Sequence, residues 1–312
     1  MKLNIARSIK IHKSPADVYN IIADLTQWNS WSPWIHLEPT AKTQLSGTPC
    51  VIGQAQTWEG EVIGSGKMTL QQLTPGQSIA IHLEFFKPWK NTTTVYFHLE
   101  KTSLDETLVT WKMQCSIPFF MFFFKNQMTA FMVSDFDRGL KMLKEYAETG
   151  TVLSRSTYLG VKEVQGFQIV AKRASCDIAD LSKVISAEFQ KMMELVNKNE
   201  LTPPQVALSL THKFDVLKGE CEHSTAYQYK LDEHVKVPSG YYLLRVQNHK
   251  AIAVEHLGSY RHLGNPWGMA MTYLRGKKFK ARKDTTMYEV YVTNPVKTSE
   301  KDTITQIFIP IK

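Results

Sequence analysis

Four cysteines in 312 residues, at positions 50, 115, 176 and 221, are too few and too scattered for a disulfide scaffold. No two form a C-x-x-C pair, which argues against a structural zinc site and suits a reducing cytoplasm. Long apolar runs are missing too. The greasiest stretch, Ile117-Pro118-Phe119-Phe120-Met121-Phe122-Phe123-Phe124, stops at Lys125-Asn126-Gln127, far short of the roughly 20 residues a spanning helix needs. It reads as a loop and helix start closing over a hydrophobic interior. The opening segment Met1-Lys2-Leu3-Asn4-Ile5-Ala6-Arg7 lacks the apolar core of a signal peptide. No cofactor or metal is expected. The run Glu220-Cys221-Glu222-His223, with His212 upstream, has metal-ligand residue types but no recognised ligand spacing, and reads as a polar loop.

The chain does have charge, unevenly placed. Residues 1–150 hold 14 Lys+Arg against 13 Asp+Glu, a net of +1; residues 151–312 hold 23 against 16, a net of +7, which together give the +8 of the whole. Six of the nine residues from Arg275 to Lys283 are basic. Such a run can attract nucleic acid or an anionic surface, or can be a solvated loop between a helix and a strand. No recognition helix or zinc-finger spacing accompanies it, so direct DNA binding is not expected, and any regulatory role would run through a partner protein.

In the first half, a strand from Asn4 to Ile11 leads to Ser14-Pro15-Ala16-Asp17, where Ser14 suits a helix N-cap and Pro15 the first turn. Alternating segments at Gly53–Trp58, Gly66–Leu73, Ser78–Phe86, Thr92–Glu100 and Thr107–Ser116 predict an antiparallel meander. A long helix from about Met128 to Ala147 closes it. This order, with Trp31-Ser32-Pro33-Trp34, Gly64-Ser65-Gly66, Thr110-Trp111-Lys112-Met113 and Asp137-Arg138-Gly139-Leu140, resembles the START-like helix-grip superfamily (SRPBCC, polyketide cyclase/dehydrase-like). The resemblance implies an elongated apolar cavity between sheet and long helix, with Trp31, Trp58, Phe85, Trp111 and Met113 as its lining. The same aromatics could equally fill a core.

The second half predicts a helix over about Ile178–Lys198, with Leu181, Ile185, Phe189, Met192 and Leu195 on one stripe, then strands around Val206–Phe214 and Ser224–Lys230. A similar order repeats: strand Ala251–His256, turn Gly258-Ser259-Tyr260, helix Asn265–Leu274, strands Met287–Val292 and Thr303–Pro310. A strand–helix–strand–strand unit used twice suggests a pseudo-symmetric pair. Within Met287–Val292, side chains alternate faces, so Tyr288, Val290 and Val292 share one and Glu289 and Tyr291 the other. A carboxylate on a buried strand face is costly without a partner. Glu289 therefore meets water, a nearby Lys or Arg, or a guest.

His256-Leu257-Gly258-Ser259-Tyr260, the helix bearing Trp267, Tyr288-Glu289-Val290-Tyr291-Val292-Thr293-Asn294-Pro295 and Thr303–Ile311 resemble the gyrase-inhibitor-like family, the effector-binding domain of bacterial transcription activators. That resemblance implies a cleft between the repeats and a buried glutamate, at the place of Glu289, that receives cationic, aromatic compounds. Tyr291, Tyr260 and Trp267 become ligand-binding candidates beside it. Some members hydrolyse cyclopropane-bearing electrophiles. In that alternative Glu289 is the general base and Tyr291 or Tyr260 orients the substrate. The expectation is an α+β chain: a helix-grip antiparallel-sheet domain at 1–149, a linker at 150–160, and a pseudo-duplicated effector-binding domain at 161–312. Its partner would be a hydrophobic or cationic small molecule.

Overall fold

The computed structural model describes residues 2–116 and 125–312. The chain is α+β, as expected, and divides into two compact units, Met1–Leu153 and Ser154–Lys312. The expected loop at Ile117–Phe124 lies outside the described residues.

The first unit is built on one antiparallel sheet. Its strands are β1 (Lys2–Ile11), β2 (Lys42–Ser46), β3 (Ala55–Glu59), β4 (Ser65–Thr74), β5 (Ser78–Lys87), β6 (Asn91–Ser103) and β7 (Glu106–Ser116). They lie in the order β1-β7-β6-β5-β4-β3-β2, an uninterrupted meander closed by pairing of the first strand with the last. Helix α1 (Pro15–Ala23) starts as anticipated: Ser14 is extended at φ −63°, ψ 153°, and its hydroxyl accepts from the Asp17 amide. The short α2 (Trp28–Trp31) follows, and α3 (Lys125–Thr149) packs against β1.

Inward-facing side chains of β4 to β7 and the buried stripe of α3 meet in one core. Trp31, Phe97 and Trp111 are fully buried there, and Trp111 stacks on Phe136 of α3 at 4.4 Å between ring centroids. Gly139 makes the approach of α3 workable, because a Cβ at that position would come within 2.7 Å of the Trp111 ring and 3.0 Å of Pro33.

The second unit is an eight-stranded antiparallel sheet carrying two helices. Its strands are β8 (Ser154–Val164), β9 (Phe167–Asp177), β10 (Val206–Asp215), β11 (Glu220–Lys230), β12 (Tyr242–Val246), β13 (His249–Gly258), β14 (Met287–Tyr291) and β15 (Ile304–Ile311). Helix α4 (Leu181–Asn197) follows β9, and α5 (Gly264–Gly276) follows β13. The strand order is β12-β9-β11-β10-β14-β15-β13-β8. Reversing that order exchanges β8 with β12, β9 with β13, β10 with β14 and β11 with β15, so the duplication is a pseudo-twofold whose centre is the β10–β14 pair.

Three details differ from the sequence reading. Each repeat carries two strands before its helix rather than one, because β8 and β9 form separate strands and β12 had no alternating signal of its own. The stretch expected as a linker holds the start of β8 at Ser154. The run Glu220–His223 is the first part of β11 rather than a loop: Glu222 points outward to Arg173 at 2.8 Å while Cys221 and His223 point inward.

Substituting Gly139 with alanine is expected to destabilise the first unit by about 1–3 kcal/mol through overpacking against a ring that cannot move aside. Urea unfolding followed by tryptophan emission checks this, since six of the seven tryptophans lie before residue 154.

Candidate functional site

β14 enters the sheet centre between β10 and β15, and this determines what its inward face meets. Glu289 stands opposite Ser209 on one side and Ile307 on the other, while Tyr291 stands opposite Ala207 and Thr305. Tyr288, also buried, points to the opposite face, where it stacks on Phe308 and meets His249 and Phe167. The strand thus separates an apolar aromatic packing face from a face that bears a carboxyl group.

Glu289 is 7% exposed and bonded through both oxygens. The Tyr291 hydroxyl donates to Oε1 at 2.5 Å, and the Trp267 indole N–H donates to Oε2 at 2.9 Å. Among the described residues no lysine or arginine pairs with it, so the basic character of this half does not neutralise it. Burial pushes its carboxyl above the usual range, and the two donated bonds pull it only partly back.

The rings around the carboxyl are mutually braced. Tyr291 lies edge-on to Tyr260 at 5.6 Å and to Phe189 of α4 at 5.5 Å, and Phe189 stacks on Tyr227 at 5.8 Å. Burial, then the neighbouring Glu289, raises Tyr260 to about 12, and the same two causes drive Tyr291 well above its ordinary value. Both phenols are therefore neutral donors at physiological pH. The Thr305 hydroxyl lies near that of Tyr260 and pulls this phenol only partly back, and neither hydroxyl has a well-aligned hydrogen-bond partner among the described residues.

The structure brings Glu289, Tyr291, Tyr260 and Trp267 into one constellation. Sequence reasoning did not place Ser209, Tyr227, Thr305 or Phe189 beside them. Phe189 had a signal, being on the apolar stripe of α4, but nothing in the sequence shows which ring that stripe meets. His256 is fully buried and lies 3.5 Å from the Ser156 hydroxyl and 3.3 Å from the Ser259 carbonyl. Cys221 is an inert thiol, pushed by burial up to about 11. No cluster of three or more His, Cys, Asp or Glu able to hold a metal occurs among the described residues.

In the first unit the expected cavity lining divides. Trp31 and Trp111 are members of the packed aromatic core, with Trp31 edge-on to Trp28, Phe97 and Trp111. Met113 is buried beside them. Trp58 and Phe85 form a half-buried edge-on pair at 5.7 Å at the margin of that core.

The Glu289 environment has a stability signature. A carboxyl whose folded pKa is raised contributes stability that is fully present below the unfolded value of about 4.5 and is lost as pH rises through the folded value. Wild-type protein is therefore expected to lose thermal midpoint relative to Glu289→Gln as pH rises from 4.5 upward, because glutamine keeps the acceptor without the charge. Paired melting curves across that range test it.

Comparison with known proteins follows the same division. Residues 2–148 match the family described as polyketide cyclase / dehydrase and lipid transport, and residues 160–312 match the GyrI-like small molecule binding domain. No curated protein matches the chain. Among solved structures, the Aha1 dimer from Colwellia psychrerythraea is 18% identical, covering 47% of this chain and 98% of its own, with a TM-score of 0.36. The EcmrR C-terminal domain is 17% identical, covering 52% of this chain and 99% of its own, at 0.41. SAV2435 bound to tetraphenylphosphonium is 15% identical, covering 50% and 94%, at 0.38. Among the described residues no helix is long and apolar enough to cross a membrane. The chain thus matches in order the polyketide cyclase / dehydrase and lipid transport family and the GyrI-like small molecule binding domain.

Proposed function

We propose that the chain is a small-molecule-binding protein whose C-terminal cleft takes an organic cation with an aromatic or apolar body. The observation that carries this reading is the buried Glu289 carboxyl, which has two hydrogen bonds but no counter-cation, among aromatic rings. A guest cation supplies the missing charge, and ring faces add roughly 0.5–2 kcal/mol per well-placed contact. Glu289 is then the receptor, Trp267 and Tyr291 hold its oxygens, and Tyr260 and Phe189 brace Tyr291 from two sides. The domain family and the ligand in the SAV2435 structure support the same chemistry.

Catalysis is the second reading, favoured by one observation: a carboxyl with a raised pKa is a suitable general base. Binding ranks ahead because both oxygens of Glu289 already accept hydrogen bonds, and both neighbouring phenols are held protonated. The first unit is assigned no ligand of its own; Trp58 and Phe85 mark the margin where an apolar guest would first touch it.

Tetraphenylphosphonium serves as a probe cation. It is expected to raise the thermal midpoint of the full chain by mass action. Glu289→Gln should weaken its binding by at least about tenfold, equivalent to roughly 1.4 kcal/mol. Calorimetric titration of both proteins decides the matter, and equal affinities would sink the reading. Steady turnover of a cyclopropane-bearing electrophile that disappears in the same variant would promote the catalytic one.

A further inference from the structure

The face that carries Glu289 holds several polar groups with nothing to bond to. The hydroxyls of Tyr260, Thr305 and Thr225 and both ring nitrogens of His223 are buried without a hydrogen-bond partner among the described residues. Thr305 and Thr225 are 0% exposed and His223 is 1%. Such groups are rare in folded proteins, because a buried donor or acceptor left unpaired forfeits its hydration.

Strand register places these groups relative to the carboxyl. Thr225 stands opposite Ser209, which stands opposite Glu289, so all three project from one face on adjacent strands. His223 is one rung further along, opposite Thr211. With neighbouring strands about 4.8 Å apart, Thr225 lies about 10 Å from Glu289 across β10. The two sites share an aromatic wall, since Phe189 touches both Tyr291 and Tyr227, the next inward residue after Thr225 on β11.

The apolar stripe of the helix beside this region is only half-buried. β9 ends at Asp177, opposite Glu220, and α4 begins at Leu181, so its first turns lie at the Cys221–His223 end of β11. Leu181, Val184, Ile185 and Phe189 are only half-buried, and Met192 is the one fully buried residue of α4. An apolar, half-buried stripe therefore borders the fully buried orphaned polar groups.

The charges here cancel. The Tyr241 hydroxyl donates to Glu188 at 2.6 Å, and the Lys172 ammonium sits 5.3 Å over the Tyr241 ring. Burial first, then His212, lowers the pKa of His223, which keeps it neutral with one donor and one acceptor to offer.

We propose that the ligand site reaches from Glu289 across β10 to Thr225 and His223, where the half-buried stripe of α4 moves aside and the unpartnered groups of this arm receive an uncharged hydrogen-bonding group such as a carboxamide, carbonyl or hydroxyl. The proposal rests on the cation-binding reading and narrows its ligand class. The guest is an elongated amphiphile, with a cationic head at Glu289 and a neutral polar tail about 10 Å away.

Two probes test it by calorimetry on the full chain: an aryl-trimethylammonium ion with a plain alkyl tail, and the same ion with the tail ending in a primary carboxamide. The carboxamide probe is expected to bind about tenfold tighter, the scale of one or two newly satisfied hydrogen bonds, and Thr225→Val or His223→Leu should shrink that ratio to about threefold or less. Thermal melts of the near-isosteric Thr225→Val variant verify that it folds. Glu289→Gln should weaken both probes. Equal affinity of the two probes for wild type, or a ratio that survives in both arm variants, would overturn the tail subsite; if Glu289→Gln still weakens the alkyl probe, the cation reading stands. A ratio that collapses in the arm variants while Glu289→Gln spares both probes would uphold the arm and remove the glutamate from the head site.

Discussion

A carboxyl group held out of water without a cation beside it sets the terms for the C-terminal unit. Left alone, such a group would drive water into the sheet or flip to the surface. Two donors prevent that, the Tyr291 hydroxyl and the Trp267 indole, and each is fixed by something else. Tyr291 is gripped between Phe189 from the first repeat and Tyr260 from the second. Trp267 rides on α5, which packs on β8, β13 and β15. The carboxyl is thus satisfied by two donors of its own repeat, and the other repeat contributes by bracing Tyr291 through Phe189 across the β10–β14 seam.

The alternation of β14 made the central pair readable, because a period of two fixes which residues share a face whatever the strand pairs with. Tyr260 and Trp267 were legible as neighbours only through resemblance, since a turn and a helix carry no such parity toward a distant strand. Ser209, Thr225 and Thr305 were not legible at all. Their importance comes from the register of β10 against β11 and β14 and of β14 against β15, and small polar residues give no periodic signal that would fix it. β11 shows the problem in miniature. Its inward members begin with Cys221 and His223 and its outward members are Glu220 and Glu222, so the run looks uniformly polar. Only pairing with β9 and β10 reveals which half is buried.

The first unit uses its aromatics differently. Trp31, Trp111, Phe97 and Phe136 contact one another, edge-on, tilted or stacked, and Gly139 removes the Cβ that would hold α3 away from Trp111. Order and motifs were enough to identify this fold. They could not separate a ring that fills a core from one that lines a cavity, because both are large, apolar and inward-facing. The Trp31 and Trp111 indole nitrogens are buried without a hydrogen-bond partner among the described residues, so this core is satisfied by packing more fully than by polar pairing.

The two units therefore illustrate opposite uses of burial. Rings closing on rings give a rigid interior with nothing to exchange. Rings closing on a carboxyl give an interior with an unbalanced preference: burial favours the protonated acid, and under the proposed reading a cation arriving beside it would favour the anion. Cation uptake and proton release are then two sides of one equilibrium, and each must shift the other by the same factor. On that reading the affinity of the site for a cation would rise with pH until the unliganded carboxyl is itself ionised, above which the protein would no longer have a proton to expel. A receptor of this kind needs no conformational device to sense charge, because the dry environment that makes Glu289 a reluctant anion also makes a bound cation its most effective partner.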